Sequence, residues 1–288
     1  MANVKLGSST QFGWSGLCAA SGLTVQAVSG WLVRLNPGVF MKAIILSAGQ
    51  GKRLLPLTAE QPKCALPVAG QPILRWQLQQ LAAAGVDEAV VVTGFCADVV
   101  DRIVAGVDDL PVRTLYNPFY AASDNLGTCW IARHEMDQPF MIVNGDSLFE
   151  AAIPRALLAA DGGFPITLAT DAKDSYDSDD MKIIASGQRL LRVGKSLDLA
   201  VINGESIGMM VFRGTSGGLF RNRLEHSMRH GDGLSRWYLS VIDALAQEDQ
   251  VGICPITGLS WCEVDDSRDL AHAQIVVGRW ATAAAVAA

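Results

Sequence analysis

From residue 41 onward, short apolar runs alternate with segments of helical period. Ala43–Ser47 is a near-continuous apolar run of strand length. Pro72 to Ala84 reads as a helix, with proline near its start and Gly85 just past its end. Ala89–Thr93 is a β-branched strand, Ala97–Ala105 a short helix, Val112–Tyr116 a strand and Leu126–Met136 a helix. Phe140–Asn144 and Ile166–Thr170 read as buried strands. Lys182–Ala185 and Leu190–Val193 suit a hairpin around Ser186-Gly187. Gly208–Phe212 is strand-like and Ser235–Ala246 helical. This order predicts an α/β fold, a mostly parallel mixed sheet with helices on both faces. In such sheets ligands bind outside the carboxyl ends of the strands.

The ends do not share this pattern. Residues 1–40 are rich in Gly and Ser, with no clear period and no basic stretch leading into a compact apolar run. They are expected to be a dispensable extension, or an upstream misread of a start at Met41. Residues 41–280 then form a single domain, and 281–288 a tail that continues or frays from a last helix. The chain has 288 residues, half of them hydrophobic, enough for a sizeable core. Its net charge is −6, without a long Lys/Arg cluster, which argues against nucleic acid or an anionic membrane as partner. No apolar run reaches the roughly 18 residues of a membrane helix. The six cysteines show no C-x-x-C pair and the four histidines no zinc spacing, which suits buried, reduced thiols in a cytoplasmic protein.

Candidate chemistry concentrates in Leu46–Lys63, LSAGQGKRLLPLTAEQPK, directly after the first strand. Gly49 and Gly51 allow backbone N–H groups to approach phosphate oxygens, and Arg53 and Lys63 add positive charge. A dinucleotide fingerprint would need glycine at Leu54. A P-loop would need glycine at Leu46 and Ser or Thr at Arg53. A triphosphate also calls for Mg²⁺ and for carboxylates at strand ends in the same cleft. Asp146 follows the apolar run Phe140–Asn144 and the turn-forming Gly145. Asp265 lies in Trp261-Cys262-Glu263-Val264-Asp265. Taken singly, Asp146 reads equally well as a turn aspartate and Asp265 as a helix cap.

The whole stretch L-S-A-G-x-G-x-R-L-x-P-L-T…P-K resembles the signature loop of the nucleotidyltransferases that make nucleoside-diphosphate sugars and alcohols. Lys52 departs from the Ser or Thr usual before the arginine. Asn144-Gly145-Asp146 and Trp261-Cys262-Glu263-Val264-Asp265 match that superfamily's G-D and late W-x-x-[VI]-D segments. The resemblance spans about Met41 to Val277 and implies a Rossmann-like, GT-A-like fold. It implies Mg²⁺ on Asp146 and Asp265. Lys63 would act at the α-phosphate, and Arg53 would hold the leaving phosphates. Leu46, Ala48, Gly49, Gly51, Lys52, Arg53, Gly94 and Asn117 are the implied nucleotide-binding positions.

Within the superfamily the chain looks most like small cytidylyltransferases acting on phosphocholine, inositol phosphate and related phosphonates. Tyr116-Asn117-Pro118-Phe119-Tyr120 with Asp124-Asn125, Asp179–Ile183, Gly194-Lys195-Ser196 and Glu205–Met209 carry that likeness. Asp124, Asn125, Lys182, Lys195 and Glu205 are thus candidates for the acceptor. Lys182 and Lys195 read equally well as exposed hairpin lysines. Asp171, Asp174, Asp177, Asp179 and Asp180 form a solvated acidic loop or attract a cationic acceptor. Tyr176, Trp237, Tyr238 and Trp261 pack in the cleft or line a quaternary amine. The reaction implied is NTP plus a phosphorylated small molecule giving NDP-acceptor and pyrophosphate. Three readings stay open: a cytidylyltransferase, a sugar-1-phosphate nucleotidyltransferase, and a non-catalytic nucleotide-binding subunit. A homodimer is compatible with each.

Overall fold

Strands apolar on both faces are stable only in the middle of a layered structure. In the computed structural model, which describes residues 25–28, 31–34, 40–160 and 163–287, with side chains within 40–280, such strands form the centre of a nine-stranded sheet. The chain falls into two compact units, Met1–Val39 and Phe40–Ala288. In the first, β1 (Val25–Val28) and β2 (Trp31–Arg34) pair antiparallel, with Val25 opposite Arg34. Each strand is four residues long, too short to register as a period in the sequence. Cys18 and the other residues of 1–24 lie outside the described residues.

The second unit begins with β3 (Lys42–Ser47), a short ribbon of β4 (Pro67–Val68) and β5 (Gln71–Pro72), and α1 (Ile73–Ala84). It continues with β6 (Glu88–Thr93), α2 (Ala97–Val104), β7 (Val112–Tyr116), α3 (Asn125–Ile131), β8 (Phe140–Asn144), β9 (Ser147–Phe149) and α4 (Ala152–Ala159). Then come β10 (Ile166–Asp171), β11 (Lys182–Ser186), β12 (Arg189–Gly194), β13 (Gly204–Phe212), α5 (Ser216–Arg229) and α6 (Leu239–Gln247). The chain closes with β14 (Val251–Pro255), β15 (Trp261–Glu263) and α7 (Ser267–Ala287). The sheet order is β10-β14-β12-β11-β13-β8-β3-β6-β7, with a further β10–β13 pairing.

The mixed α/β sheet expected from the alternation is present, with one run of adjacent parallel strands and, beyond it, antiparallel pairs together with one parallel pair, β10–β14. β8, β3, β6 and β7 run parallel, joined through helical crossovers. β13 enters antiparallel to β8 and β10, and β11 pairs antiparallel with β12 through the hairpin at Gly187, φ +57°. So short a hairpin cannot join parallel strands. β13 starts at Gly204 rather than Gly208, because the polar pair Glu205-Ser206 is buried in the sheet. The helix expected over Ser235–Ala246 begins only at Leu239. Its would-be first turn is tied to α3 instead: Leu126 N–H donates to the Arg236 carbonyl (3.2 Å) and Tyr238 N–H to Asn125 Oδ1 (2.9 Å). The helix expected over Leu126–Met136 is α-helical only to Ile131, followed by a 3-10 turn, Ala132–Glu135. The strands β9, β14 and β15 and the helices α4 and α5 lie outside the sequence expectation, whereas α7 is the last helix that the tail was expected to continue.

An apolar cluster fills each side of the sheet, and a third packs β4, β9 and β15 against α7. Where β8 meets β13, Phe140 and Phe212 stack at 4.3 Å, and Phe220 of α5 packs on Phe212 at 4.7 Å. All three rings are fully buried, so they fix β13 and the strands beyond it to the parallel run. Phe212→Ala is expected to cost about 3–5 kcal/mol. That should appear as a markedly lower denaturant midpoint at an unchanged slope. A loss below about 1 kcal/mol would mean that the two halves do not depend on this stack.

Candidate active site

Sheet register sets the site. β3 lies between β6 and β8, with Leu46 opposite Asn144 and Ser47 opposite Thr93. The Gly49–Arg53 loop and the Gly145-Asp146 turn therefore leave the sheet side by side. Gly145 has no room for a side chain: a Cβ there would sit 2.5 Å from the Leu46 carbonyl oxygen. Buried Gln77 of α1 fastens the same turn, its Nε2 donating to the carbonyls of Asn144 (2.7 Å) and Ser147 (2.8 Å). Gly94 is equally confined, a Cβ there meeting Tyr120 and the Ala48 carbonyl within 2.6 Å.

A second, smaller pairing brings in the chain's C-terminal part. β9 and β15 pair antiparallel, with Ser147 opposite Glu263. One step on, Val264 N–H donates to the Asp146 carbonyl at 3.1 Å. Asp265, whose N–H is held by Asp269 Oδ2 at 3.0 Å, thus lies next to Asp146. Lys63 completes the group, with Nζ 2.7 Å from Asp146 Oδ2 and 2.8 Å from Asp265 Oδ1. Its stem crosses Gly51, which takes φ +78° and would put a Cβ 2.8 Å from Lys63 Cβ. Arg53 Nη2 reaches the same Asp265 oxygen at 3.0 Å. Burial opposes the charge on Lys63, but Asp146 and Asp265 outweigh it and raise its pKa above the ordinary lysine range.

Glu263 is the site residue that sequence reasoning missed. Carboxylate oxygens of Asp146, Glu263 and Asp265 all lie within 4.8 Å of one another. The available signal was the i, i+2 spacing of Glu263 and Asp265, which puts both on one side of an extended segment. Three carboxylates then face one ammonium and one guanidinium, a local excess of one negative charge when all are ionised. Asp146 Oδ1 is buried and has no hydrogen-bond partner. An orphaned carboxylate oxygen amid further oxygen donors suits a hard divalent cation.

Other expected positions divide into two groups. Leu46, Ala48, Gly49, Asp124 and Asn125 line one cavity of about 250 Å³ with Lys63 and Asp146. Lys52, Arg53 and Asp265 line a neighbouring one of about 390 Å³, which shares Gly49, Gly51 and Asp124 with the first. Asp124 and Asn125, expected at the acceptor, therefore stand across from the glycine loop. Asn117, Lys182 and Glu205 turn inward. Asn117 is fully buried, donating to Thr128 Oγ1 and accepting from Phe119 N–H. Lys182 is 2% exposed, and its ammonium donates to the carbonyls of Asp177, Asp180 and Lys195. Glu205 is buried against Lys173 at 3.0 Å. Lys195 stays at the cleft, 4.5 Å over the Trp237 ring, while Tyr238 is buried and its hydroxyl donates to Asn144 Oδ1.

Residues 42–173 match the profile of the family described as nucleotidyl transferase. The likeness to that family thus covers somewhat less than half of the chain. It is 36% identical over 121 residues to CMP-5'-(3-aminopropyl)phosphonate synthase of Streptomyces rubellomurinus, covering 42% of this chain and 19% of that one. It is 34% identical over 122 residues to N-acetylmuramate alpha-1-phosphate uridylyltransferase of Neisseria meningitidis, covering 42% and 53%. The chain thus spans a fifth to a half of the length of these relatives. The solved structure of CTP:phosphocholine cytidylyltransferase from Streptococcus pneumoniae superposes with a TM-score of 0.68 at 18% identity, over 83% of this chain and 100% of the other. At that identity the likeness concerns the fold alone. Among the described residues no helix is long and apolar enough to cross a membrane.

Desolvation of the carboxyl, and then Asp146 and Asp265, raise Glu263 above its ordinary 4.5, with Lys63 opposing; because the residue is exposed to solvent, the two neighbouring carboxylates are the firmer cause. The folded protein therefore binds this proton more tightly than the unfolded chain. Its contribution is full below the unfolded value and is lost as pH rises toward the folded one. Glu263→Gln is expected to stabilise metal-free protein at pH 7 and to flatten its decline above about pH 4.5. Mg²⁺ should then raise the melting temperature of wild type more than that of the variant. A variant less stable than wild type at pH 7 without metal would contradict this assignment.

Proposed function

We propose that this chain transfers a nucleotidyl group, CMP from CTP, to a phosphorylated alcohol or phosphonate such as phosphocholine, releasing pyrophosphate. The observation that carries the reading is Lys63, clamped by Asp146 and Asp265 at the mouth of the glycine loop. A cation so fixed requires no reorganisation when charge develops on a phosphate oriented by that loop.

In this reading the nucleotide lies along Leu46–Gly51, with Asp124 and Asn125 across the cavity. An acceptor phosphate or phosphonate oxygen forms a bond to the α-phosphorus. The bond from α-phosphorus to the bridging oxygen breaks, and pyrophosphate leaves with the electron pair. No protein nucleophile is needed, since positioning and charge neutralisation suffice. Lys63 bears on the α-phosphate, and Arg53, with Lys52 beside it, on the leaving phosphates. Asp146, Glu263 and Asp265 would hold Mg²⁺, which when bound polarises phosphate oxygens and offsets their charge. Lys195 at the cleft is the candidate for the acceptor's phosphate. The buried ammonium of Lys182 holds the carbonyls beneath it.

CTP and an aminoalkyl or alcohol acceptor are supported by the cytidylyl relatives in sequence. The uridylyltransferase relative supports a second reading, transfer of UMP to a sugar 1-phosphate. Pyrophosphate release is to be measured with Mg²⁺, crossing CTP and UTP with phosphocholine, 3-aminopropylphosphonate and sugar 1-phosphates. Release with CTP and a phospho-alcohol or phosphonate is expected. Release only with UTP and a sugar 1-phosphate would replace the first reading with the second. Lys63→Ala and Asp146→Asn should each lower turnover by about a hundred- to a thousandfold. Near-normal rates in either would remove that residue from the mechanism.

A further inference from the structure

The segment between β10 and β11, residues 172–181, crosses toward the glycine loop. At its tip, Asp179 Oδ2 is 2.7 Å from Arg53 Nη1, and its other oxygen, Oδ1, is 3.2 Å from Lys195 Nζ. One carboxylate thus bridges two cations that come from opposite halves of the sheet. Each cation is held independently: Arg53 by Asp265 at 3.0 Å, Lys195 by the Trp237 ring at 4.5 Å. The tip is preshaped. Asp177 Oδ1 accepts the N–H groups of Asp179 and Asp180, and Asp180 Oδ2 accepts that of Asp177. Its base is fastened by the buried Lys182 ammonium, which joins the carbonyls of Asp177 and Asp180 to that of Lys195.

Exposure decides what such a bridge can do. The side chains of Arg53 and Asp179 are 55% and 57% exposed. Ion pairs in this setting are weak, roughly 0–1 kcal/mol, and yield to a better-charged competitor. A phosphate or phosphonate group presents the same motif, two oxygens on one centre, with more charge. We propose that Asp179 is an intramolecular occupant of the anion subsite between Arg53 and Lys195, the cations assigned above to the leaving phosphates and to the acceptor, and that a phosphate-type group of the substrate arriving from either side must displace it. The loop is then a tethered competitor. It fills the subsite when no substrate is present and is pushed aside on loading, while the Lys182 staple keeps its base in place. The inference rests on the nucleotidyl-transfer reading for the identity of the displacing ligand, though not for the anion subsite itself.

The experiment is calorimetric titration of the full chain, wild type, Asp179→Asn and Asp174→Asn, with methylphosphonate and with inorganic pyrophosphate. Asp174 is an exposed carboxylate of the same loop without an ion pair, so its variant makes the same change in net charge. Asp179→Asn is expected to bind at least one of the two anions roughly three- to tenfold more tightly, and Asp174→Asn like wild type. Tightening confined to methylphosphonate assigns the subsite to the acceptor, and tightening confined to pyrophosphate assigns it to the triphosphate end. Unchanged or weaker binding of both anions by Asp179→Asn overturns the proposal, as does equal tightening in Asp174→Asn. Tightening in Asp179→Asn, in a protein that releases no pyrophosphate with any substrate pair, would remove the nucleotidyl-transfer reading and leave the subsite standing.

Discussion

The contact on which the site depends is the double ion pair of Lys63 with Asp146 and Asp265. Its three residues come from a loop after the first strand of the sheet, a turn in mid-chain and a segment near the C-terminal helix. Two carboxylates this close repel one another, and one ammonium between them compensates both. Without that cation the charges would be left uncompensated in a half-buried cleft, which is costly. Glu263, within 4.8 Å of both carboxylates, adds a third acidic group to the same place. The site is built to receive positive charge, and Lys63 and Arg53 supply only part of it.

This balance is held by structure that is itself uncharged. Gly145 and Gly51 admit backbone and the Lys63 stem at distances that a Cβ would forbid. Gln77 locks the turn that carries Asp146 from the helix side. The β9–β15 ribbon, outside the main sheet, sets Asp265 beside Asp146 by register alone. Beneath it, the Phe140–Phe212–Phe220 stack holds β13 and the strands beyond it, which carry Lys195 and the acidic loop, to the parallel run, which carries the glycine loop. The cleft lies where the parallel run β8-β3-β6-β7 meets β13, with cationic side chains on each side.

The acidic loop shows how one charge pattern serves two ends. Asp177 and Asp180 spend their oxygens on shaping the loop and pairing Lys173, whereas Asp179 points across the seam. Lys173 and Lys195 lie over Tyr176 and Trp237, so the exposed aromatic faces named as candidates for a quaternary amine already carry cations of the chain itself.

Local sequence was enough to determine the central strands, the helices α1 and α2, the glycine loop and the candidacy of Arg53, Lys63, Asp146 and Asp265. The strands, helices and loop rest on short-range signals, an unbroken apolar run, a proline–glycine pair around a helix or glycine beside basic residues, whereas the metal candidacy of Asp146 and Asp265 rests on the resemblance to nucleotidyltransferase segments. Other features were decided by contacts distant in sequence. Glu263 joins the carboxylates only because β15 pairs with β9 across more than a hundred residues. Lys182 and Glu205, read as acceptor ligands, face inward because β11 and β13 pair them opposite each other at a buried position. The first turn of the helix expected at Ser235 is lost to hydrogen bonds with α3. A charged side chain carries the same letters whether it faces a cleft or a carbonyl. Which it faces follows from strand register, and register is a property of the assembled sheet.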